Sequence, residues 1–291
     1  MTSSTLPGVT TAEASAAQRD PESFGLEKPK YLGRGARASG ASLAMRLTVP
    51  AVAFFAWWGL TTSGIVSSSV LASPSAVRSA TVELVESGQL SEFLQASVGR
   101  AGLGVLLGVV FGLSLGVTAG LSALGEELID PTMQMVRAVP FLAVVPLFIS
   151  WFGVDERFKV ALIALASTFP MYAYSYLGVR GVDRKVIEAA RGFGLRRWGL
   201  LFQVILPGAL PSLLMALRLC LAISVVGLIA AEQVGTTKGI GYLVLLAKQY
   251  YRTDYMVLCV VLYAMMGIMF DLLIRVLERY AMPWQRPGRT R

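Results

Sequence analysis

Six long apolar runs, near 47–66, 101–121, 135–153, 159–179, 209–231 and 255–274, alternate with short polar segments along this chain. Each run is long enough to cross roughly 30 Å of hydrocarbon as a helix. The pattern predicts an all-α polytopic membrane protein with six transmembrane helices in a membrane domain spanning 44–280. Residues 1–43 are rich in Ser, Ala and Gly with mixed charge. Too little apolar surface is available there to offset ordering, so they read as a disordered tail. Residues 281–291 form a short basic tail. The first run has a second reading: from Met45 it has a basic start, an apolar centre and a small-residue exit, like a secretory signal. The retained span is carried forward.

Charge orients the six runs. Arg19, Lys28, Lys30, Arg34, Arg37 and Arg46 precede the first, and Arg180, Arg184, Lys185, Arg191, Arg196 and Arg197 cluster between the fourth and fifth. Five more arginines, from Arg275 to Arg291, follow the sixth, whereas the loop at 67–99 offers Arg78 against Glu83, Glu86 and Glu92. Six spans put the three basic regions on one side, and the positive-inside rule makes that side cytoplasmic, both termini included. The acidic loop at 122–134 (Glu126, Glu127, Asp130) then also faces inward, and acidic residues weigh little in that rule. On the outer side, Ser73-Pro74 followed by a stretch ending at Gly88 predicts an N-capped amphipathic connector helix.

Within the runs, Gly104, Gly108, Gly112, Gly116 and Gly120 recur every fourth residue and trace one winding stripe. In lipid such a stripe is a packing seam, because small residues let a neighbouring backbone approach. The third run carries Arg137, Pro140 and Pro146, and the fourth carries Ser167, Thr168 and Pro170, then Tyr172 and Tyr176 on one face. Prolines inside a span leave carbonyls that protein or a polar cavity must satisfy. These two runs are the candidates to line a translocation path, with ordinary kinked packing as the alternative. Arg218 in the fifth run must avoid lipid. It either pairs with Asp271 or serves as a way-station on the path.

The chain is 55% hydrophobic and 15% charged, with mean hydropathy +0.62 and no histidine. That excludes His-ligated zinc, His general bases and Ser-His-Asp triads. Cys220 and Cys259 both lie in apolar runs, where a small hydrophobe is the expected role. There is no phosphate-binding G-x-x-x-x-G-K-[ST] loop, so ATP hydrolysis by this chain is not expected. No catalytic residue, metal site, resident cofactor or nucleic-acid partner is expected either, and the lipid bilayer is the environment of its apolar surface.

One cytoplasmic segment stands out. "EAARGFGLRRWGLLFQVILPGALP", residues 188–211, predicts a short helix closed by Gly194, a sharp turn, and a second amphipathic stretch leading to Pro211 at the start of the fifth span. Ala189 and Ala190 give the helix a shallow face. The segment is either a lever pushed by a soluble partner or a hairpin lying on the anionic inner leaflet.

Glu188-Ala189-Ala190, three residues, Gly194, nine residues, then Val204-Ile205-Leu206-Pro207 resembles the E-A-A-x3-G-x9-I-x-L-P signature of inner-membrane permease subunits of ABC importers. Valine replaces the first isoleucine. The resemblance runs from roughly residue 70 to 280, and "LIAAEQVGTTKGIGYLV" is similar to the nitrate/sulfonate/taurine branch. It implies a type I importer permease whose coupling helix, through Glu188, Ala189, Ala190, Gly194, Leu206 and Pro207, docks on a separate ATPase. It further implies a permease dimer, two ATP-binding subunits using ATP and Mg, a substrate-binding protein outside, and a small anion as cargo. A secondary transporter or channel is the rival, and it would need ionisable relays at mid-membrane, of which the chain offers few: Arg137 and Arg218, with Asp271 nearer one end.

Overall fold

In the computed structural model of the protein the described residues are 39–282, with side chains from Thr48 onward. The expected tails lie for the most part outside them. The chain divides into two units, residues 1–55 and 56–291. Ten helices can be followed among the described residues: α1 (Ser39–Thr62), α2 (Pro74–Glu86), α3 (Gln89–Leu121), α4 (Ala123–Ala138), α5 (Val145–Phe152), α6 (Glu156–Arg180), α7 (Arg184–Gly192), α8 (Arg197–Glu232), α9 (Ile240–Gln249) and α10 (Thr253–Ala281). A 3₁₀ turn, Phe141–Val144, precedes α5.

Four of these helices, α3, α6, α8 and α10, are long and apolar enough to cross a membrane; α4 with Phe141–Phe152 passes only as a broken span bent by 85°. The third expected run, 135–153, is therefore not one rod. Pro140 stands at the break and Pro146 in the first turn of α5, where its missing N–H costs nothing. The second expected run starts twelve residues late, because α3 begins at Gln89.

The stripe of glycines in α3 is the seam against α6. A Cβ at Gly108 would stand 2.5 Å from Ala164 O, at Gly112 2.5 Å from Thr168 O, and at Gly116 2.6 Å from Tyr172 O. One α3 glycine meets one α6 turn all the way along: Gly104 on Ile163, Gly108 on Ser167, Gly112 on Met171, Gly116 on Ser175 and Gly120 on Val179. The constant offset means that the two helices run parallel in register. On another side of α6, Gly178 packs against Ala209 and Ser212 of α8, and Cys220 Sγ donates to Ser167 O at 3.1 Å. Helix α6 is the central element of the bundle.

Helix α2 forms as its sequence predicts: Ser73 Oγ accepts from the Ala76 N–H at 3.3 Å, Pro74 opens the first turn, and Gly88 turns the chain at φ +71°. It is tied to the start of α10, where Arg252 Nη2 donates to Glu83 at 2.9 Å and holds that carboxyl below the usual carboxylate range.

Backbone occupies the space that a side chain at Gly112 needs, so Gly112→Leu forces α3 and α6 apart. We expect it to cost about 1–3 kcal/mol or more and to reduce the yield of monodisperse protein in detergent. A Cβ at Gly102 of the same helix meets nothing within 4 Å, and Gly102→Leu should be tolerated. Equal yields and melting temperatures for the two variants would contradict the seam.

Candidate functional site

Three groups of polar residues are distributed along α6. The first lies at its N-terminal end. Glu232, with no exposed surface, accepts from Ser97 Oγ (2.8 and 2.9 Å), from Arg100 Nη1 (2.6 Å) and from the Gly241 N–H (2.8 Å). Arg100 also donates to Lys238 O at 2.7 Å and grips Glu156 with Nε and Nη2 at 2.5 and 2.7 Å. Lys159, 2% exposed, reaches the same Glu156 at 3.1 Å. The buried carboxylate thus caps the start of α9 through the Gly241 N–H, while the Ile240 N–H donates to Ser97 Oγ at 2.8 Å. Gly239 at φ +122° is needed there, since a Cβ would stand 2.5 Å from Glu232 Oε1 and 2.7 Å from Arg100 Nη1.

None of these charges is among the site residues expected from the sequence, because each stands at or just outside the edge of an apolar run. A signal was nevertheless present: Arg100 is one four-residue step before Gly104, and Lys159 one step before Ile163. The buried charges continue the seam.

The second group lies along the C-terminal third of α6. Tyr172 donates to Asp130 Oδ1 at 2.9 Å, Tyr176 donates to Glu126 Oε1 at 2.6 Å, and Arg180 completes the set by pairing with Glu126. Tyr172 and Tyr176 share a face as expected, with stacked rings 6.2 Å apart. Their hydroxyls pin α4 to α6 and give the acidic residues Glu126 and Asp130 their partners. Thr168 bonds back to Ala164 O at 2.8 Å, and Ser167 is fully buried in the glycine seam. Of the residues expected on the path, Pro140, Tyr172 and Tyr176 therefore belong to the broken span or its anchorage, with Pro146 just beyond the break, while Ser167 is packing. Arg218 lies elsewhere, between α8 and α10, 3.2 Å from Asp271 and 3.7 Å from Glu278. This is the ion-pair alternative.

The third group is the elbow beyond the C-terminal end of α6. Asp183 caps α7 by accepting from the Lys185 N–H at 2.9 Å. The helix closes at Phe193, and Gly194 turns the chain at φ +85°, a conformation that side chains resist. The Leu195 N–H then returns to Ala190 O at 3.1 Å. The two alanines face opposite ways. Ala190 is buried with Leu200, Ile205 and Val179, whereas Glu188 and Ala189 stay exposed and Phe193 is 88% exposed. The shallow outer surface thus belongs to Ala189, and Ala190 fastens the elbow to α8. A groove of about 1370 Å³ beside it is lined by Arg180, Arg184, Arg191, Arg196, Arg197 and Trp198 among others.

Helix α8 starts at Arg197, earlier than the run at 209–231 suggests, and Pro211 lies inside it instead of at its first turn. A π turn, Leu201–Ile205, precedes Leu206 and Pro207, and the Leu206 N–H reaches back five residues to Leu201 O. The wider turn carries the helix past Pro207, which has no N–H to donate.

Parallel long helices, one broken span and a basic elbow fused to the next span define a multi-pass membrane transport subunit. The chain belongs to the family described as the binding-protein-dependent transport system inner membrane component, whose model matches residues 105–281. It is 42% identical over 239 residues to a protein of Bacillus subtilis named aliphatic sulfonates transport permease protein SsuC, covering 82% of this chain and 87% of that one. It is 33% identical over 258 residues to the taurine transport system permease protein TauC of Escherichia coli, covering 87% and 91%. Among solved structures, the inward-facing MetNI methionine ABC transporter superposes with TM-score 0.53 at 19% identity, over 63% of this chain and 93% of that one. An amino acid ABC transporter gives 0.54 at 21% identity, over 68% and 97%. These last two bear on the fold alone.

Removing one member of the buried network strands another charge. Arg100→Met should destabilise the protein by about 3–5 kcal/mol, the usual cost of breaking a buried pair. The Glu92 and Lys238 side chains of the neighbouring ion pair are 49% and 57% exposed, and Glu92→Gln should cost no more than about 1 kcal/mol. Unfolding in detergent measures both, and a Glu92→Gln loss as large as that of Arg100→Met would contradict the assignment.

Proposed function

We propose that this chain is the permease of an ATP-driven importer for small sulfonates or taurine-like anions. Two copies form the path, two ATP-binding subunits dock beneath, and a substrate-binding protein delivers cargo from outside. The membrane domain then has six spans, α1 being the first, with both termini in the cytoplasm. Helix α7 is the coupling helix. The sulfonate and taurine names of its relatives support the substrate class.

The observation that carries this reading is the fastening of α7 to α8. Ala190 is packed on Leu200 and Ile205, and the Leu195 N–H bonds Ala190 O. A push on the exposed face of α7, at Glu188, Ala189 and Phe193, therefore reaches α8 without passing through a loose loop. Because α8 also lies against α6 along Gly178, the displacement reaches the bundle's centre. Hydrolysis occurs in the partner, and this chain supplies the lever and the path.

The test is Gly194→Val. A β-branched residue at φ +85° is strained, yet a Cβ at this position meets nothing within 4 Å. The variant should remain in the membrane at normal levels and misplace the coupling helix. Uptake of radiolabelled taurine or ethanesulfonate should fall about tenfold or more, as for a strain of roughly 1–2 kcal/mol in the lever. Unchanged uptake by a variant present at normal levels would rule the lever out.

A further inference from the structure

The break between α4 and α5 lies beside a cavity of about 360 Å³, within the roughly 300–1,000 Å³ range of small-ligand sites. Asp130, Gln134, Arg137, Phe169, Tyr172 and Tyr176 are among the residues that line it. Its depth follows from the tyrosine bonds. Tyr176 meets Glu126 and Tyr172 meets Asp130, so each four-residue step up α4 matches a four-residue step back along α6. Continued, that antiparallel register sets Gln134 level with Thr168 and Arg137 level with about Leu165, close to the middle of the 25-residue α6. Arg137 thus stands at mid-membrane, in the last turn of a half-helix that ends two residues later in an 85° bend.

Its surroundings leave its charge available. Among the described residues Arg137 makes no ion pair, whereas Arg100, Arg180, Arg218, Arg252 and Arg275 all do. Asp130, the carboxylate in the same cavity, attracts Arg137 through space without forming an ion pair with it, and Tyr172 donates to one of its oxygens and Gln134 to the other at 3.0 Å. A guanidinium at this depth is too costly to leave in lipid and must face protein or water. Discontinuous helices near the midplane are where transporters hold their cargo; the carbonyl end of α4 favours a cation, so the attraction for an anion here has to come from the guanidinium itself. A guanidinium offers planar, paired donors suited to an oxyanion.

We propose that Arg137 is the anion-binding way-station of the translocation path, holding the sulfonate group of the cargo in passage, with Gln134 as a neutral donor beside it. The role that sequence alone left open for Arg218 belongs to Arg137, since Arg218 is engaged with two carboxylates. The proposal rests on the sulfonate importer reading, and its test separates the two.

Uptake of radiolabelled taurine is measured for the complete transporter carrying Arg137→Ala, Arg137→Lys and Arg137→Cys, normalised to permease in the membrane. Wild-type protein that imports neither taurine nor ethanesulfonate would refute the importer reading itself. Given import, Arg137→Ala should lose about tenfold or more, as for a missing hydrogen bond to a charged group, and Arg137→Lys should retain more than alanine. Arg137→Cys adds a thiol to a chain whose Cys220 and Cys259 are both buried. Treatment with 2-aminoethyl methanethiosulfonate, which attaches a cation, should restore uptake, and the 2-sulfonatoethyl reagent, which attaches an anion, should not. Wild-type uptake by the alanine variant, rescue indifferent to the sign of the attached charge, or loss of all three variants from the membrane would overturn the proposal.

Discussion

The close approach of α3 to α6 is the constraint on which the rest of the membrane domain depends. Lipid gives two apolar helices no hydrophobic reason to associate, so contact must come from fit, and glycine every fourth residue supplies it. With backbone against backbone over five turns, α3 and α6 behave as one parallel slab. Its register is fixed because each α3 glycine receives one α6 residue. Once that register is set, the side chains on the remaining faces of α6 have defined heights, and the polar groups around Lys159 and around Tyr172 and Tyr176 are attached to them.

That slab arranges the protein by depth. At one end Arg100 and Lys159, the next residues along the seam, carry the carboxylates of Glu156 and Glu232, and Glu232 in turn caps α9. Paired charges there hold the 235–241 loop in place at considerable desolvation cost, which only complete pairing offsets. In its C-terminal third, the hydroxyls of Tyr172 and Tyr176 suspend the half-helix α4, whose C-terminal end comes level with the middle of α6. At the other end the chain leaves α6 at Arg180 and makes the elbow that returns as α8. The elbow, the broken span and the 235–241 loop are thus three attachments to one rigid element, and a displacement at α7 has a physical route to the other two.

The sequence made the helical runs, the glycine seam and the elbow legible because each is a local periodic or punctuated signal. Gly104 to Gly120 shows its stripe by spacing alone, and Gly194 its turn by chemistry. Helix ends were harder to see. Arg100, Lys159 and Glu232 interrupt hydropathy and look like the limits of spans, yet the helices include them because their partners, up to 132 residues distant, neutralise them. Pro211 looks like a helix start for the same local reason, and the π turn before Pro207 lets α8 begin earlier. Tyr172 and Tyr176 could be placed on one face, whereas their bonds to Asp130 and Glu126 could not be foreseen across more than forty residues. The opposite orientations of Ala189 and Ala190 depend on where Leu200 and Ile205 return, which no local pattern encodes.

The central claim is that this chain provides a path opened by a partner's ATP hydrolysis. Reconstitution into proteoliposomes tests it most directly: the chain alone, the chain with its ATP-binding subunit, and that complex with the substrate-binding protein outside and ATP inside. The account predicts accumulation of taurine or ethanesulfonate in the last case only. Accumulation by the chain alone, driven by an ion gradient and indifferent to ATP, would contradict it.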